Sequence, residues 1–264
     1  GGAIVMDEKN EVYPVRAPYV VLACGGLGGL YKNSTNFPHI AGDGLGIAMK
    51  HQVVLEHLDY IQIHPTTLYS HKPGRRFLIS ESVRGEGALL YDKNGQRFTN
   101  ELQPRDLLSQ AIFAQMEKDG TDFVWEDMRP LGEETIMKHF PNIFHRCVEE
   151  GFDPRKEPIP VVPAQHYFMG GIKVDLGSRT SMKGLYACGE TCCNGVHGRN
   201  RLASNSLLES LVFAQRAADD ILYGEPPVFT GDKPDLAPYR EQEPLFAAYQ
   251  QEVLTAIERS KNHE

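Results

Sequence analysis

The fold is decided by residues 19–29, which read YVVLACGGLGG. The first six residues are almost continuously apolar and predict a strand that is buried on both faces of a sheet and ends abruptly in glycine. Residues 184–189, GLYACG, repeat this pattern later in the chain. Each glycine cluster alone is typical of a tight turn, but two such strands separated by a long insertion indicate one α/β sheet interrupted by another domain. Ligands of such sheets bind where the strands end, because glycine lets phosphates and rings approach the backbone.

The pattern of strands, glycines and helices predicted along the sequence divides the chain into four segments. Residues 1–58 and 169–224 share the strand–glycine pattern and are expected to form two parts of one dinucleotide-binding-type domain. Residues 59–168 alternate short strands with helices, which predicts an inserted α+β domain, and residues 225–264 form a linker and the start of a C-terminal helical region. The G-x-G-x-x-G fingerprint of dinucleotide domains is missing, so the chain either belongs to another class or has its first half-domain upstream of Gly1.

Capping signals predict the helices. We expect one helix from the glycine cluster at Gly42 to Lys50, one from Pro104 to Gly120, one over Glu133 to Glu150 and a last one over about Glu243 to Lys261. A further helix is expected to begin with Ser206 as N-cap and Glu209 reaching back to it, as in a capping box. Its apolar residues are expected to form one buried side, and they are Leu207, Leu208, Leu211, Val212, Ala218, Ile221 and Leu222.

Composition excludes several classes of protein. The 264 residues are 41% hydrophobic and 23% charged, as in globular domains. With 27 Lys and Arg against 35 Asp and Glu, the net charge of −8 argues against nucleic-acid binding. No apolar stretch approaches the roughly 18 residues of a membrane helix.

The five cysteines have no C-x-x-C spacing, which favours a reducing cytoplasm and predicts no metal site. The adjacent Cys192 and Cys193 are simplest as small buried or loop residues, and a metal or redox role for the pair stays open.

Five polar motifs carry the chemistry. In chain order they are His64-Pro65-Thr66, Ser80-Glu81-Ser82-Val83-Arg84-Gly85-Glu86-Gly87, Pro104-Arg105-Asp106, His166-Tyr167-Phe168-Met169-Gly170-Gly171 and His197-Gly198-Arg199-Asn200-Arg201. Any single histidine or arginine here is more commonly a surface or capping residue, but the set in this order is improbable by chance. Over about residues 4–224 it resembles the flavoprotein family that includes L-aspartate oxidase and the flavoprotein subunits of fumarate reductase and succinate dehydrogenase.

The resemblance implies an α/β fold in which an FAD domain of the two-dinucleotide-binding type is interrupted by an α+β capping domain. It also implies FAD as cofactor and a four-carbon dicarboxylate, L-aspartate or fumarate, as substrate. The run Ala203-Ser204-Asn205-Ser206-Leu207-Leu208-Glu209 is closer to the aspartate-oxidising form, because succinate dehydrogenase-like members usually have two glycines in place of Ala203-Ser204. The implied reaction is hydride transfer from L-aspartate to flavin, giving iminoaspartate for quinolinate and NAD synthesis, with quinolinate synthase as a candidate partner.

The residues that the resemblance assigns to the substrate carboxylates are His64, Ser80, His166 and Arg201. A dianion that leaves water needs several donors and a fixed positive charge, and Arg201 offers a two-pronged contact that lysine cannot. The family usually has threonine at the position of Ser80, so this chain keeps the hydroxyl and loses a methyl group.

Arg105 matches the family's proton-transferring arginine, with Glu81 and Arg84 as its relay. The reference pKa of arginine is above ~12, so this role requires other cations in a dry cleft. The alternative is that Arg105 is a helix-start residue paired with Asp106.

The cofactor contacts that carry over from the family are the carboxylates of Asp43 and Glu190 and the backbone N–H groups of Ser206 and Leu207. A carboxylate that follows a strand, as Glu190 does, can accept hydrogen bonds from ribose. A helix start carries about half a positive charge, which favours reduced flavin.

Two other interpretations stay open: a fumarate reductase or succinate dehydrogenase flavoprotein subunit, and a non-catalytic remnant that binds a dicarboxylate. The intact histidine, arginine and glutamate motifs argue against a remnant. The family's ADP-binding half-domain and its partner for the substrate ammonium would lie upstream of Gly1. We therefore expect this chain alone neither to hold FAD nor to turn over substrate.

Overall fold

The computed structural model describes residues 1–229, 231 and 233–261, and it divides into two compact units. The first unit comprises Gly1–Leu30, His39–Gln62 and Tyr167–Glu264, and the second comprises Tyr31–Pro38 and Ile63–His166. The domain limits that the sequence pattern predicts stay predictions. In the described part of the chain, no helix is long and apolar enough to cross a membrane.

Twelve strands and seven α-helices occur in the described residues. The strands are β1 Gly2–Met6, β2 Val12–Arg16, β3 Val20–Leu22, β4 Leu55–Glu56, β5 Ile61–Leu68, β6 Phe77–Leu78, β7 Leu89–Tyr91, β8 Val124–Asp127, β9 Ile159–Phe168, β10 Gly171–Lys173, β11 Leu185–Ala187 and β12 Cys192–Cys193. The helices are α1 Asp43–Lys50, α2 Glu81–Gly85, α3 Arg105–Asp119, α4 Glu133–His139, α5 Pro141–Glu149, α6 Asn205–Tyr223 and α7 Gln242–Lys261.

The first unit contains the two strands that end in glycine. β3 pairs with β11 in parallel, with Val20 opposite Leu185, which confirms the predicted α/β sheet. The predicted burial on both faces is wrong, because Val21 is 46% exposed and the sheet has two strands in the described chain. Beside it, β1 and β2 form an antiparallel hairpin, and β12, β10 and β4 form a mixed three-stranded sheet.

Helix α6 differs from its prediction in two ways. It begins at Asn205 after Ser204, which has a φ of 66°, so Ser206 is inside the first turn and is not the N-cap. The Glu209 side chain is hydrogen-bonded to Asn194 instead of reaching back, so there is no capping box.

The buried side of α6 is also not the leucine-rich one. Its buried residues are Glu209, Phe213 and Ala217, one helical turn apart, and Ala217 packs against Tyr186 and Cys188. Of the seven apolar residues predicted to be buried, only Ile221 is partly buried, and the exposed ones are Leu207, Leu208, Leu211, Val212, Ala218 and Leu222.

The second unit is built on a five-stranded sheet in the order β6-β5-β9-β8-β7. Its core joins the sheet to α2, α3, α4 and α5 through buried apolar residues, among them Ile79, Leu90, Leu108, Ile112, Ile136 and Ile159. Helix α3 follows Pro104 and ends at Gly120, which has the left-handed φ of 64° that favours glycine, as predicted. The helix predicted over residues 133–150 is wrong as one piece. It breaks at Phe140, because Pro141 cannot donate the N–H that would continue α4.

Helices α1 and α7 of the first unit pack closely at Gly46. A Cβ added there would lie 2.4 Å from Tyr249 Cβ and 3.1 Å from its Cα, so the backbone would have to move. We expect Gly46→Ala to destabilise the folded chain by about 1–3 kcal/mol, as overpacking usually does. Urea unfolding checks this, with Gly85→Ala as the control, because a Cβ at Gly85 meets nothing within 4 Å. Equal stability of the two variants would contradict the close packing.

Candidate active site

The second unit brings two predicted substrate histidines together on neighbouring strands. His64 on β5 and His166 on β9 have ring centroids 5.4 Å apart, with the ring planes at 67°. His64 is 1% exposed, and its Nδ1 lies 2.9 Å from the Thr66 carbonyl oxygen. His166 Nδ1 lies 2.8 Å from the hydroxyl of Thr35. Each ring therefore has one nitrogen fixed by a neighbour of the same unit.

The predicted proton-transferring arginine forms an ion pair. Arg105, the first residue of α3, donates from Nε and approaches with Nη2 the same Glu81 oxygen, and both distances are 2.7 Å. The Arg105 side chain is 14% exposed and that of Glu81 is 56% exposed. The guanidinium and the carboxylate that the sequence placed in one relay are thus in direct contact.

Arg84 lies deeper than Arg105. It is 3% exposed and donates from Nη1 to the Glu101 carbonyl oxygen at 2.7 Å. Among the described residues, its Nε and Nη2 have no hydrogen-bond partner. Burial lowers its pKa, and the charges of Glu126 and Glu81 act in the opposite direction. The role of Glu81 and Arg84 as a relay stays a prediction.

Ser80 serves a structural purpose in this arrangement. It is the N-cap of α2, and its hydroxyl accepts a hydrogen bond from the Ser82 N–H at 3.3 Å. This cap fixes the start of the helix that carries Glu81 and Arg84. Its predicted contact with a substrate carboxylate stays a prediction.

Electrostatics keep His64 neutral. Burial lowers the pKa of His64 well below the usual value, and the positive charges of His166, Arg105 and Arg84 lower it further. These residues are therefore electrically coupled within one unit. The cluster presents fixed positive charge from its arginines, while His64 offers a neutral ring.

Arg201 belongs to the first unit. It is 6% exposed, its guanidinium carbon lies 4.5 Å from the centre of the Tyr167 ring, and its Nη1 donates to the Ser206 hydroxyl at 3.2 Å. The Gln62 amide donates to its backbone carbonyl oxygen at 2.9 Å. This region of the first unit therefore holds one buried, well-oriented guanidinium. Its contact with a substrate carboxylate stays a prediction.

The predicted cofactor carboxylates also lie in the first unit, and their surroundings suit FAD. Glu190 accepts a hydrogen bond from the Phe168 N–H at 3.0 Å, and burial raises its pKa to about 7. A Cβ at Gly26, in the glycine cluster after β3, would come within 2.4 Å of its Oε1, so a larger residue there would displace this carboxylate. Asp43 begins α1 with a buried Oδ1 that has no hydrogen-bond partner in the described chain, and burial raises its pKa. A buried acceptor of this kind fits a hydroxyl donor such as those of FAD.

Ser206 and Leu207, the predicted backbone contacts to the flavin, lie in the first turn of α6. The Leu207 N–H donates to the Ser204 carbonyl oxygen at 3.2 Å within the first turn of α6, and the Leu207 side chain is 73% exposed. The Ser206 hydroxyl is held by Arg201. Their contact with the flavin stays a prediction.

Sequence reasoning missed two features of these surroundings. Glu126 in β8 is fully buried, which raises its pKa against the charge of Arg84, which lowers it, and the two acids among the apolar residues of FVWEDM were the available signal. His197 lies 3.8 Å from the Glu209 carboxylate and packs edge-on against Tyr167, with ring centroids 5.7 Å apart. The motif that contains His197 was recognised, but no role was assigned to this residue.

We expect His64 to stay neutral from about pH 8 to about pH 5.5, whereas an ordinary histidine titrates near 6.5. An NMR titration of its ring checks this, and movement with a midpoint near the ordinary value would contradict it. Unfolded His64 takes up a proton as the pH falls through about 6.5, but folded His64 does not, so acid destabilises the folded state. As the pH is lowered over this range, the free energy of unfolding of His64→Gln should therefore fall less than that of the wild type.

Comparison with known proteins places this geometry in a family. A model of the FAD binding domain family matches residues 1–207. L-aspartate oxidase of Clostridium perfringens is 55% identical over 218 residues, which cover 82% of this chain and 50% of that protein. The chain spans about half the length of the curated relatives it matches.

Solved structures agree with this comparison. A quinol–fumarate reductase with menaquinol molecules has a TM-score of 0.76 and 37% identity, covering 95% of this chain and 46% of that one. A mutant of E. coli quinol fumarate reductase has a TM-score of 0.71 and 33% identity, covering 96% of this chain and 47% of that one. Because the family model extends over most of the sequence, the chain belongs to the FAD binding domain family, and its cofactor is FAD.

Proposed function

We propose that this chain carries the residues for substrate binding and proton transfer in an FAD-dependent oxidation of L-aspartate to iminoaspartate. The observation that supports it best is the Arg105–Glu81 ion pair beside the coupled group of His64, His166 and Arg84. The identity of 55% to a protein named L-aspartate oxidase supports the choice of substrate.

The substrate is a dianion with an ammonium group, and the second unit offers what its carboxylates need. Buried guanidinium groups bind carboxylates with charge-assisted hydrogen bonds. Arg84 has two buried nitrogens without partners among the described residues, and His64 adds a neutral imidazole. His64, Ser80 and His166 of this unit are proposed to hold the carboxylates, and Arg201 of the first unit is proposed separately as a substrate-binding residue.

Arg105 is the proposed acceptor of the proton that the substrate loses. Oxidation removes a hydride from the α-carbon of the substrate and one proton from its ammonium group, which leaves the protonated imine of oxaloacetate. FAD supplies the hydride acceptor when it is bound. We assign the proton to Arg105, which accepts it as the guanidinium gives one of its own protons to the Glu81 carboxylate across the contacts at 2.7 Å. Arg84 completes the relay toward the interior.

The product fits a biosynthetic role. Iminoaspartate is a reactive imine that water hydrolyses, so an enzyme must consume it promptly, and quinolinate synthase is the proposed partner in the synthesis of quinolinate and NAD. A reducing cytoplasm is the proposed location, since all five cysteines are free thiols in the structure.

Fumarate reduction is the second candidate function. It is favoured by the two solved fumarate reductases, which cover 95% and 96% of this chain. Steady-state assays of the full-length, FAD-loaded protein separate the two functions. Oxidation of L-aspartate with no oxidation of succinate supports the first, and the reverse result supports the second. A protein that binds fumarate and oxidises neither compound would be the non-catalytic remnant.

We expect Arg105→Lys in the full-length protein to lower kcat for L-aspartate by about 10²–10⁴-fold, the usual range for a general acid or base. Lysine keeps the charge but cannot contact Glu81 through two nitrogens at once. The flavin absorbance should remain, because Arg105 is not among the predicted cofactor contacts. Stopped-flow reduction of the flavin by L-aspartate measures the step directly.

The matched control is Arg155→Lys. Arg155 lies in the same unit and pairs with Asp153 and Glu133, at 2.9 and 2.7 Å, but has no part in the proposed site. It should keep wild-type turnover. Near-wild-type turnover of Arg105→Lys would remove Arg105 from the reaction.

A further inference from the structure

We propose that Glu126 is a proton-binding positioning residue that sets the charge around Arg84 and thereby couples dicarboxylate binding to pH. The inference rests on the proposed function, because it concerns how the same cluster binds its substrate. It is carried by the placement of one acid inside the sheet of the second unit.

Glu126 lies where an acid is costly. It is in β8, opposite Leu90 of β7 and Ile159 of β9, in the interior of the five-stranded sheet. Its side chain is 0% exposed, and neither carboxylate oxygen has a hydrogen-bond partner among the described residues. An unpartnered buried carboxyl in a native fold calls for an explanation, and a neighbouring charge is the first place to look.

That neighbouring charge is Arg84. Burial raises the pKa of Glu126 to about 8, against the opposing influence of the Arg84 charge. The same interaction raises the pKa of Arg84 against its own burial. Arg84 Nε and Nη2 are the two buried nitrogens that lack partners in the described chain. The structure thus holds a buried cation and a buried acid that are coupled without being hydrogen-bonded.

The other groups that face Glu126 do not compensate its charge. Glu101, on the segment after β7, raises its pKa further, but that carboxylate is already paired with Arg97 at 2.6 Å. Cys147 of α5 is a neutral thiol, because burial raises its pKa to about 12. Arg84 is therefore the one cation that acts on Glu126 in the described residues. Its proton is held at neutral pH and released near pH 8.

The net charge of the cluster changes when Glu126 gains or loses this proton. When Glu126 is protonated, the Arg84 charge acts in full on a bound dianion, and when Glu126 is ionised, it cancels that charge. Binding of the dianion and binding of the proton must then favour each other, by thermodynamic linkage. Repulsion between ionised Glu126 and one charge of the dianion over ~10 Å, at an effective dielectric of ~20, lowers the binding constant of the dianion by about tenfold. The affinity for a dicarboxylate should therefore fall by this factor as the pH rises through about 8.

Calorimetric titration of fumarate into the full-length, FAD-loaded protein tests the inference between about pH 6.5 and about pH 9.5, either side of the Glu126 titration. We expect the wild-type Kd to rise about tenfold over this range, and that of Glu126→Gln, which stays neutral, to change by less than about twofold. Glu126→Leu should behave like Glu126→Gln, and it replaces that variant if the amide is not accommodated.

The matched control is Glu150→Gln. Glu150 is a largely buried carboxylate of the same unit, and although burial raises its pKa, Lys72, Ser70 and Arg146 hold that pKa below the usual range. It is ionised throughout the test, so its variant should follow the wild-type pH profile.

Thermal unfolding gives a second measure that needs no ligand. Unfolded Glu126 loses its proton near its ordinary value of 4.5, but folded Glu126 keeps it to about 8. The folded state therefore loses stability as the pH rises between these values, and Glu126→Gln should gain Tm over the wild type by several degrees from about pH 5 to about pH 8.

The outcomes separate the two proposals. Parallel Kd profiles of the wild type and Glu126→Gln, or no relative change in Tm, would overturn the role of Glu126 and leave the proposed function intact. Failure of every form to bind fumarate at any pH would overturn the proposed function as well.

Discussion

The candidate site depends on positive charge that is kept out of water. Arg84 is 3% exposed, and Arg84, Arg105 and His166 are close enough to His64 to lower its pKa. A cation in such a place is costly unless a partner offsets its lost hydration, and here two guanidinium nitrogens are left without one in the described chain. The fold of the second unit holds this charge in place through the cap of α2 and the start of α3, and a dianion would offset it.

Much of the scaffold could be predicted from local signals. The glycine-ended strands at 20–22 and 185–187 belong to one sheet, as their shared pattern indicated, and they pair in parallel. Helix α3 has the proline and glycine boundaries that fix its ends, because proline suits a helix start and Gly120 takes a left-handed φ. The ion pair of Arg105 with Glu81 was within reach of the sequence only through the family motifs, since 24 positions separate the two residues.

The remainder depends on tertiary context. The pattern of leucines in α6 does not tell which face of the helix packs against the rest of the unit. The face that packs there contains Phe213 and Ala217. The N-cap moved to Ser204 because Arg201 holds the Ser206 hydroxyl and Asn194 holds Glu209. Glu126 has no sequence motif at all. Its significance arises only from tertiary structure, which brings the charge of Arg84 on α2 close enough to act on its pKa.

The pairing of β3 with β11 has a consequence for how the chain is made. The two strands are about 160 residues apart, so a ribosome adding ~5–20 residues each second leaves β3 without its partner for about 10–30 s. All of the second unit is synthesised in that interval, and its five-stranded sheet contains strands of this unit alone. The order of synthesis therefore favours folding of the inserted unit first, while Val20–Leu22 waits as an unpaired edge that a chaperone or a neighbouring nascent chain can reach.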